Sequence, residues 1–309
     1  MNYKNSFKVV ANNFMLVWKQ LLYTIIVGGI IAFLVYELLR PIKNLLGSNG
    51  WFLEVKEFIE TIFTSPKEVI TGLKSLCGSF ANIVFGNFNL VWGSSVVIFI
   101  LVILAPCFAF NLSFFVQGEL LNARLNSWAK YGYCQKLLSS FARGGLFALY
   151  QFVISLPFVA LMVLWLFLYA KIVDSWVGAT LALPILVTLL ICTYSLKKTL
   201  LFWFLPSAVG SSNTSMWKSL CEGVTLASKS FGKLFLNCLV IYIVEFFVAI
   251  MFGVFTLGAG LILIIPALPV INIVIEFVSY YTKNKFCYYI NESTIIKPVT
   301  TEIATIDKI

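Results

Sequence analysis

Residues 206–234 read Pro206-Ser-Ala-Val-Gly-Ser-Ser-Asn-Thr-Ser-Met-Trp-Lys-Ser-Leu-Cys-Glu-Gly-Val-Thr-Leu-Ala-Ser-Lys-Ser-Phe-Gly-Lys-Leu234. Pro206 and the Gly/Ser/Asn/Thr run behind it close off an apolar segment, because these residues favour turn geometry over helix. Trp217, Leu220, Cys221, Val224, Ala227, Phe231 and Leu234 then recur at helical spacing and share one face. Lys218, Glu222, Thr225, Lys229 and Lys233 fall on the other. A helix so divided is expected to lie in the plane of a membrane surface, its apolar side sunk into the headgroup boundary. It leads directly into another long apolar stretch.

Working outward, the rest of the chain is just as apolar. Of 309 residues, 60% are hydrophobic and only 11% charged, which places the chain outside the soluble globular class. Residues 144–170 are 27 positions without a charge, and 175–196 are 22. A helix needs roughly 20 residues to cross the hydrocarbon, so a polytopic helical membrane protein is expected. The net charge of +9 sits beside apolar spans rather than in one basic stripe. It therefore reads as topology-setting lysine near anionic lipid, with no nucleic acid as partner. Lysine outnumbers arginine 19 to 3, a bias that fits an AT-rich bacterial genome. Lys4, Lys8 and Lys19 precede the first apolar run without a small-x-small cleavage site, so a retained first span is expected rather than a removed signal peptide. The seven cysteines form no C-x-x-C pair and are expected as free thiols.

Taken in order, residues 3–18 form a first surface helix with Phe7, Val10, Ala11, Phe14, Val17 and Trp18 on one face. Six spans come after it, at about 21–39, 94–117, 145–170, 177–196, 233–256 and 260–282. Residues 40–93 are an insertion carrying an amphipathic helix and a second helix start at Ser65-Pro66-Lys67-Glu68, a capping box. A second surface segment, 119–143, carries Leu121, Leu125, Trp128, Leu138 and Phe141, and residues 200–205 run along the interface. The architecture expected is all-α, six transmembrane helices as three hairpins, each introduced by an interfacial amphipathic helix. Trp18, Trp128, Trp217 and Phe231 are its interfacial anchors. Phe141-Ala-Arg143 and Phe231-Gly-Lys233 are the best local match between units. Residues 1–283 form the membrane domain and 284–309 a polar, mobile cytoplasmic tail.

Lysine and arginine orient the chain. With both termini inside the cytoplasmic membrane of a bacterium, 16 basic residues lie inside and 6 outside. A rival makes residues 75–93 a seventh span with the amino terminus outside, dividing them 18 to 4. Asn82, Asn87 and Asn89 argue against that span.

Few residues could carry chemistry. Glu245 lies ~18 Å into the fifth span and Glu276 about 10 Å from the cytoplasmic end of the sixth, at 1.5 Å per residue. Antiparallel packing of these spans puts Glu245 level with Asn272, four residues from Glu276 on one face. No lysine or arginine is expected at that depth. Glu245, Asn272 and Glu276 therefore read either as a proton, ion or polar-substrate site or as hydrogen-bonded glue between helices. The span prolines allow the same choice, broken binding helices or simple kinks. No histidine occurs, which removes serine–histidine pairs, H-E-x-x-H zinc sites and histidine bases. The only aspartates, Asp174 and Asp307, lie outside the spans. No enzyme activity, cofactor or metal is expected.

The aromatic-rich exit to Pro206, the small-residue break, Trp217-Lys218-Ser219 and Phe231-Gly232-Lys233 entering an apolar span together form a pattern. It resembles the membrane domain attached to some bacterial glycerophosphodiester phosphodiesterases, and related free-standing six-helix bacterial membrane proteins. The insertion at 40–93 departs from that family's compact hairpin, and the histidines of its catalytic domain are missing. The resemblance implies a membrane-embedded module, in some relatives joined to chemistry on phospholipid-derived substrates. The function expected is a non-enzymatic protein that organises membrane lipids or partner membrane proteins at the cytoplasmic face. The alternative is a small-solute or ion-coupled transporter using Glu245 and Glu276.

Overall fold

The computed structural model describes residues 3–64, 68–87, 97, 100, 104–172, 176–210 and 214–297. Among them the chain forms twelve helices and one hairpin. The first four helices are α1 (Tyr3–Asn12), α2 (Met15–Ser48), α3 (Trp51–Thr64) and α4 (Val69–Gly86). Then come α5 (Ala105–Ser127), α6 (Tyr133–Ser139), α7 (Phe141–Ile172) and α8 (Trp176–Leu201). The last four are α9 (Phe204–Gly210), α10 (Met216–Ser228), α11 (Phe231–Phe255) and α12 (Leu261–Lys283). Strands β1 (Tyr288–Asn291) and β2 (Thr294–Ile296) pair antiparallel behind them.

Six helical stretches among the described residues are long and apolar enough to cross a membrane: Met15–Glu37, Val69–Gly86, Phe141–Lys171, Ala182–Gly210, Phe231–Phe255 and Leu261–Lys283. Five coincide with expected spans. Of the span expected at 94–117, residues 94–96, 98, 99 and 101–103 fall outside the described residues, and the described part from Ala105 belongs to α5, which is not among the six stretches. Ser65, Pro66 and Lys67 of the capping box and the tail from 298 onward also fall outside the described residues. α4 qualifies by length and composition because it ends at Gly86, before Asn87, so Asn82 is the one asparagine it carries. Pro41, Pro157, Pro184, Pro266 and Pro269 all lie inside uninterrupted helices. None of these prolines marks a broken helix.

The chain divides into two compact units. One comprises Val27–Cys107 and Ile154–Tyr194. Within it α3 folds back on α4: Trp51 meets the Phe80 ring at a tilt of 59°, donates its indole N–H to the Leu76 carbonyl at 3.3 Å, and covers Ile42 and Leu46 of α2. Trp165 of α7 donates to the Thr193 hydroxyl of α8 at 3.2 Å.

The other unit comprises Met1–Ile26, Phe108–Val153 and Ser195–Ile309. Its core is aromatic, with Phe115, Phe147 and Phe204 in a chain of ring contacts at 5.4 and 4.8 Å. Residues 200–205, expected at the interface, belong to that core: Phe202, Trp203, Phe204 and Leu205 are all buried. The cause is local. Gly223 has no side chain, and the Phe204 backbone passes 2.9 Å from where a Cβ would stand, so α9 and α10 pack at close range. Pro206 sits in the first turn of α9, where a missing N–H breaks no helical hydrogen bond.

Three further expectations change. The first surface helix ends at Asn12 instead of 18. The turn at Asn13 is held by its side-chain amide on the Val9 carbonyl and by the Arg124 guanidinium on its Oδ1. The second surface segment is two elements. Residues 119–127 continue α5, with Leu121 and Leu125 buried in the core, and only α6 is separate. Trp128, in left-handed backbone at φ 54°, ends α5. The tail is not featureless either, because Tyr288 and Ile290 of β1 are buried. Asn5 and Asn12 of α1 donate to the Tyr288 hydroxyl and the Ile290 carbonyl. At the turn between α11 and α12, Gly258 adopts φ 89°, which only glycine takes without strain.

Candidate functional site

Helical spacing lines up the polar residues of α11 and α12. On α11, Leu234, Cys238, Tyr242 and Glu245 share a face; on α12, so do Asn272, Glu276, Ser279 and Lys283. The two helices are joined by the glycine turn and run antiparallel. Accordingly the Asn272 side-chain amide donates to Glu245 Oε1 at 2.8 Å. The pairing expected from depth alone is present.

Glu276 is 2% exposed and does not lack a cation. Lys198, three residues from the end of α8, forms an ion pair with its carboxylate. The expectation that no basic residue reaches this depth is overturned. Lysine carries its charge on a flexible four-carbon stem, so the ammonium need not lie level with its own Cα. Both residues lie near the ends of their helices, and the stem spans what remains. A signal was present in the sequence, since Lys198 and Glu276 both sit within two turns of the boundary assigned to the same membrane face. Thr199, beside Lys198, returns its hydroxyl to the Ser195 carbonyl at 2.7 Å, so it adds no donor to the pair.

The four expected anchors differ. Trp217 is 59% exposed and Trp18 and Phe231 also face outward, whereas Trp128 is half-buried and its Nε1–H has no hydrogen-bond partner among the described residues. On α10 the buried residues are Met216, Ser219, Leu220, Gly223 and Ala227. Trp217 and Cys221, assigned to one apolar face with Leu220 and Ala227, point outward instead. α10 therefore has two apolar aspects: a small-residue one against α9 and an aromatic one on the outside. Ser215 caps it by accepting from the Lys218 N–H.

A feature that periodicity did not reveal lies at the other end of α11. Tyr3 and Lys4 of α1, Trp203, Ser230, Lys233, Leu234 and Asn237 at the start of α11, and Ser279, Thr282 and Lys283 at the end of α12 line an open cleft of about 720 Å³. Tyr3 donates to Asn237 Oδ1 at 3.2 Å, and burial holds its phenol above the ordinary value, so it remains a donor. The lysines are about 50 residues apart at their closest and over 200 at their farthest, and no local spacing rule joins them.

A third polar cluster holds the helices around α5. Ser113 donates to Gln20 and lies 2.7 Å from the Tyr133 hydroxyl, and Gln117 donates to the Leu16 carbonyl. Burial pushes the Tyr133 phenol up. Every member holds helix to helix, so this cluster is structural. Among the described residues no three His, Cys, Asp or Glu side chains converge as a metal site. Comparison with protein-family models, curated proteins and solved structures finds no match to this chain.

Proposed function

We propose that this chain is a non-enzymatic integral membrane protein that organises anionic lipid, or membrane proteins bound through it, at the cytoplasmic face of a bacterial membrane. The observation that carries the reading is α10. Its small residues hold it against α9, while Trp217 and Lys218 are turned outward. An aromatic ring at headgroup depth beside lysines is the arrangement that binds an anionic interface. α1 repeats it with Phe7 outward and Ser6 and Val9 inward, and Phe14 in the following turn and Trp18 at the start of α2 also face outward. A short helix precedes a long one at α1–α2, α6–α7 and α10–α11, which supports three hairpins with both termini inside. The resemblance to phosphodiesterase-linked membrane domains accords with a role at lipid.

The test is to extract the protein with its surrounding lipid and weigh what co-purifies. Anionic phospholipid enriched above its share of the bulk membrane is expected; retained lipid of bulk composition would sink the proposal.

The transporter reading rests on a different observation, two acids on neighbouring helices, Glu276 paired with Lys198 and Glu245 hydrogen-bonded to Asn272. Glutamine keeps the shape and hydrogen bonds of glutamate but does not titrate. Proton or cation flux in proteoliposomes that disappears in Glu245→Gln or Glu276→Gln would favour transport. No flux is expected, because both acids already have partners that hold helices together.

A further inference from the structure

We propose that the cleft between α1, α11 and α12 is a binding site for the phosphodiester of an anionic phospholipid headgroup. The proposal rests on the lipid-organising reading and gives it a location. Lys4, Lys233 and Lys283 all line the cleft, and among the described residues no acidic one does. None of the three makes an ion pair with another of the described residues, although Lys198, Lys136 and Arg40 each find one. Three uncompensated cations around one opening create a field that an anion would satisfy. Hydroxyls and an amide stand between them: Ser230, Ser279, Thr282 and Asn237.

Two independent features point the same way. Trp203 lines the cleft, 3% exposed, and its Nε1–H is a buried donor with no partner among the described residues. Such groups are rare in folded proteins and often mark a missing ligand or water. The cleft also takes in the amino-terminal end of α11. There Ser230 makes no side-chain capping bond, so first-turn N–H groups are left facing outward with the positive end of the helix dipole.

The choice of a lipid over a free phosphate comes from α11 itself. Lys233, Leu236, Val240, Val244 and Phe247 succeed one another at three- and four-residue steps and form one stripe. The four apolar members are all more than half exposed. A headgroup held at Lys233 would therefore have an open apolar track along the span for its acyl chain.

The experiment is native mass spectrometry of the full chain in detergent with dioctanoyl phosphatidylglycerol, and in parallel with dioctanoyl phosphatidylcholine. The wild type should retain the anionic lipid preferentially. Lys233→Gln/Lys283→Gln should lower its occupancy roughly fivefold per lysine removed, Lys233→Arg/Lys283→Arg should restore it, and Lys130→Gln, exposed between α5 and α6 and outside the cleft lining, should leave it unchanged. If the double glutamine variant does not accumulate, Lys4→Gln on α1 gives the same reading. Preference intact in the cleft variants, or an equal loss from Lys130→Gln, would overturn the cleft while leaving the lipid-organising function standing. No preference in the wild type would overturn both. Displacement of the lipid by equimolar inorganic phosphate or glycerol 3-phosphate would show a free-phosphate site and overturn the lipid assignment.

Discussion

Lys198 and Glu276 show how much one side chain's reach alters the chemistry of a site. Glu276 is buried, and the flexible stem of Lys198 brings an ammonium against its carboxylate. Removing one member of a buried pair leaves the other stranded, at about 3 kcal/mol or more. Lys198→Met is therefore expected to lower the thermal midpoint in detergent strongly, and Lys198→Met/Glu276→Met to recover most of the loss. A single variant as stable as the wild type would mean that the pair contributes nothing. Glu245 differs, because its partner is the neutral amide of Asn272. Glutamine there keeps a hydrogen-bonding group and should be mild.

At the scale of elements, α10 has two jobs on two faces, and each can be disturbed separately. Gly223→Ala puts a methyl group 2.9 Å from the Phe204 backbone nitrogen, which cannot move aside as a flexible side chain would. The expected cost is about 1–3 kcal/mol, typical of overpacking. It would appear as a lowered thermal midpoint with lipid retention per folded molecule unchanged. Trp217 touches little of the protein core, so in water Trp217→Asp would change stability by about 0.5 kcal/mol or less. At an apolar boundary the same change costs a few kcal/mol. Folded protein in the membrane should therefore fall sharply with Trp217→Asp and barely with Lys218→Gln. Equal effects from the two would argue against Trp217 being seated in lipid.

For the whole molecule, the testable quantity is orientation, since membrane proteins keep an excess of basic residues on the cytoplasmic side. The proposed three-hairpin arrangement would put the α2–α3 region outside and α10 inside. In a background without native cysteines, Ser48→Cys and Thr64→Cys should react with an impermeant maleimide added to intact cells, and Ser228→Cys should not. All three positions are exposed, so access within the protein does not limit the reaction. Labelling of Ser228→Cys from outside would invert the assignment and move the lysine cleft to the other face of the membrane.

One set of features depends only on local spacing and on solvent, and the order of amino acids was enough to determine it. Long uncharged runs favour a hydrocarbon environment and helix, and they located five of the six helical stretches that are apolar enough to cross a membrane. The glycine turn and the antiparallel geometry it imposes brought Glu245 to Asn272. The small-residue break and Ser215 placed the start of α10. Tertiary structure decided whatever depended on distant segments meeting. Residues 200–205 look interfacial by their aromatics, yet a glycine some 20 positions later lets α10 lie over them and makes them core. Leu121 and Leu125 fit a surface helix until neighbouring helices bury them. Lys198 meets Glu276, and Lys4 comes to stand with Lys233 and Lys283, through packing between elements far apart in the chain. Hydrophobic periodicity records which face of a helix avoids water. It does not say whether protein or lipid covers that face, because both are equally apolar, and only the packed fold separates them.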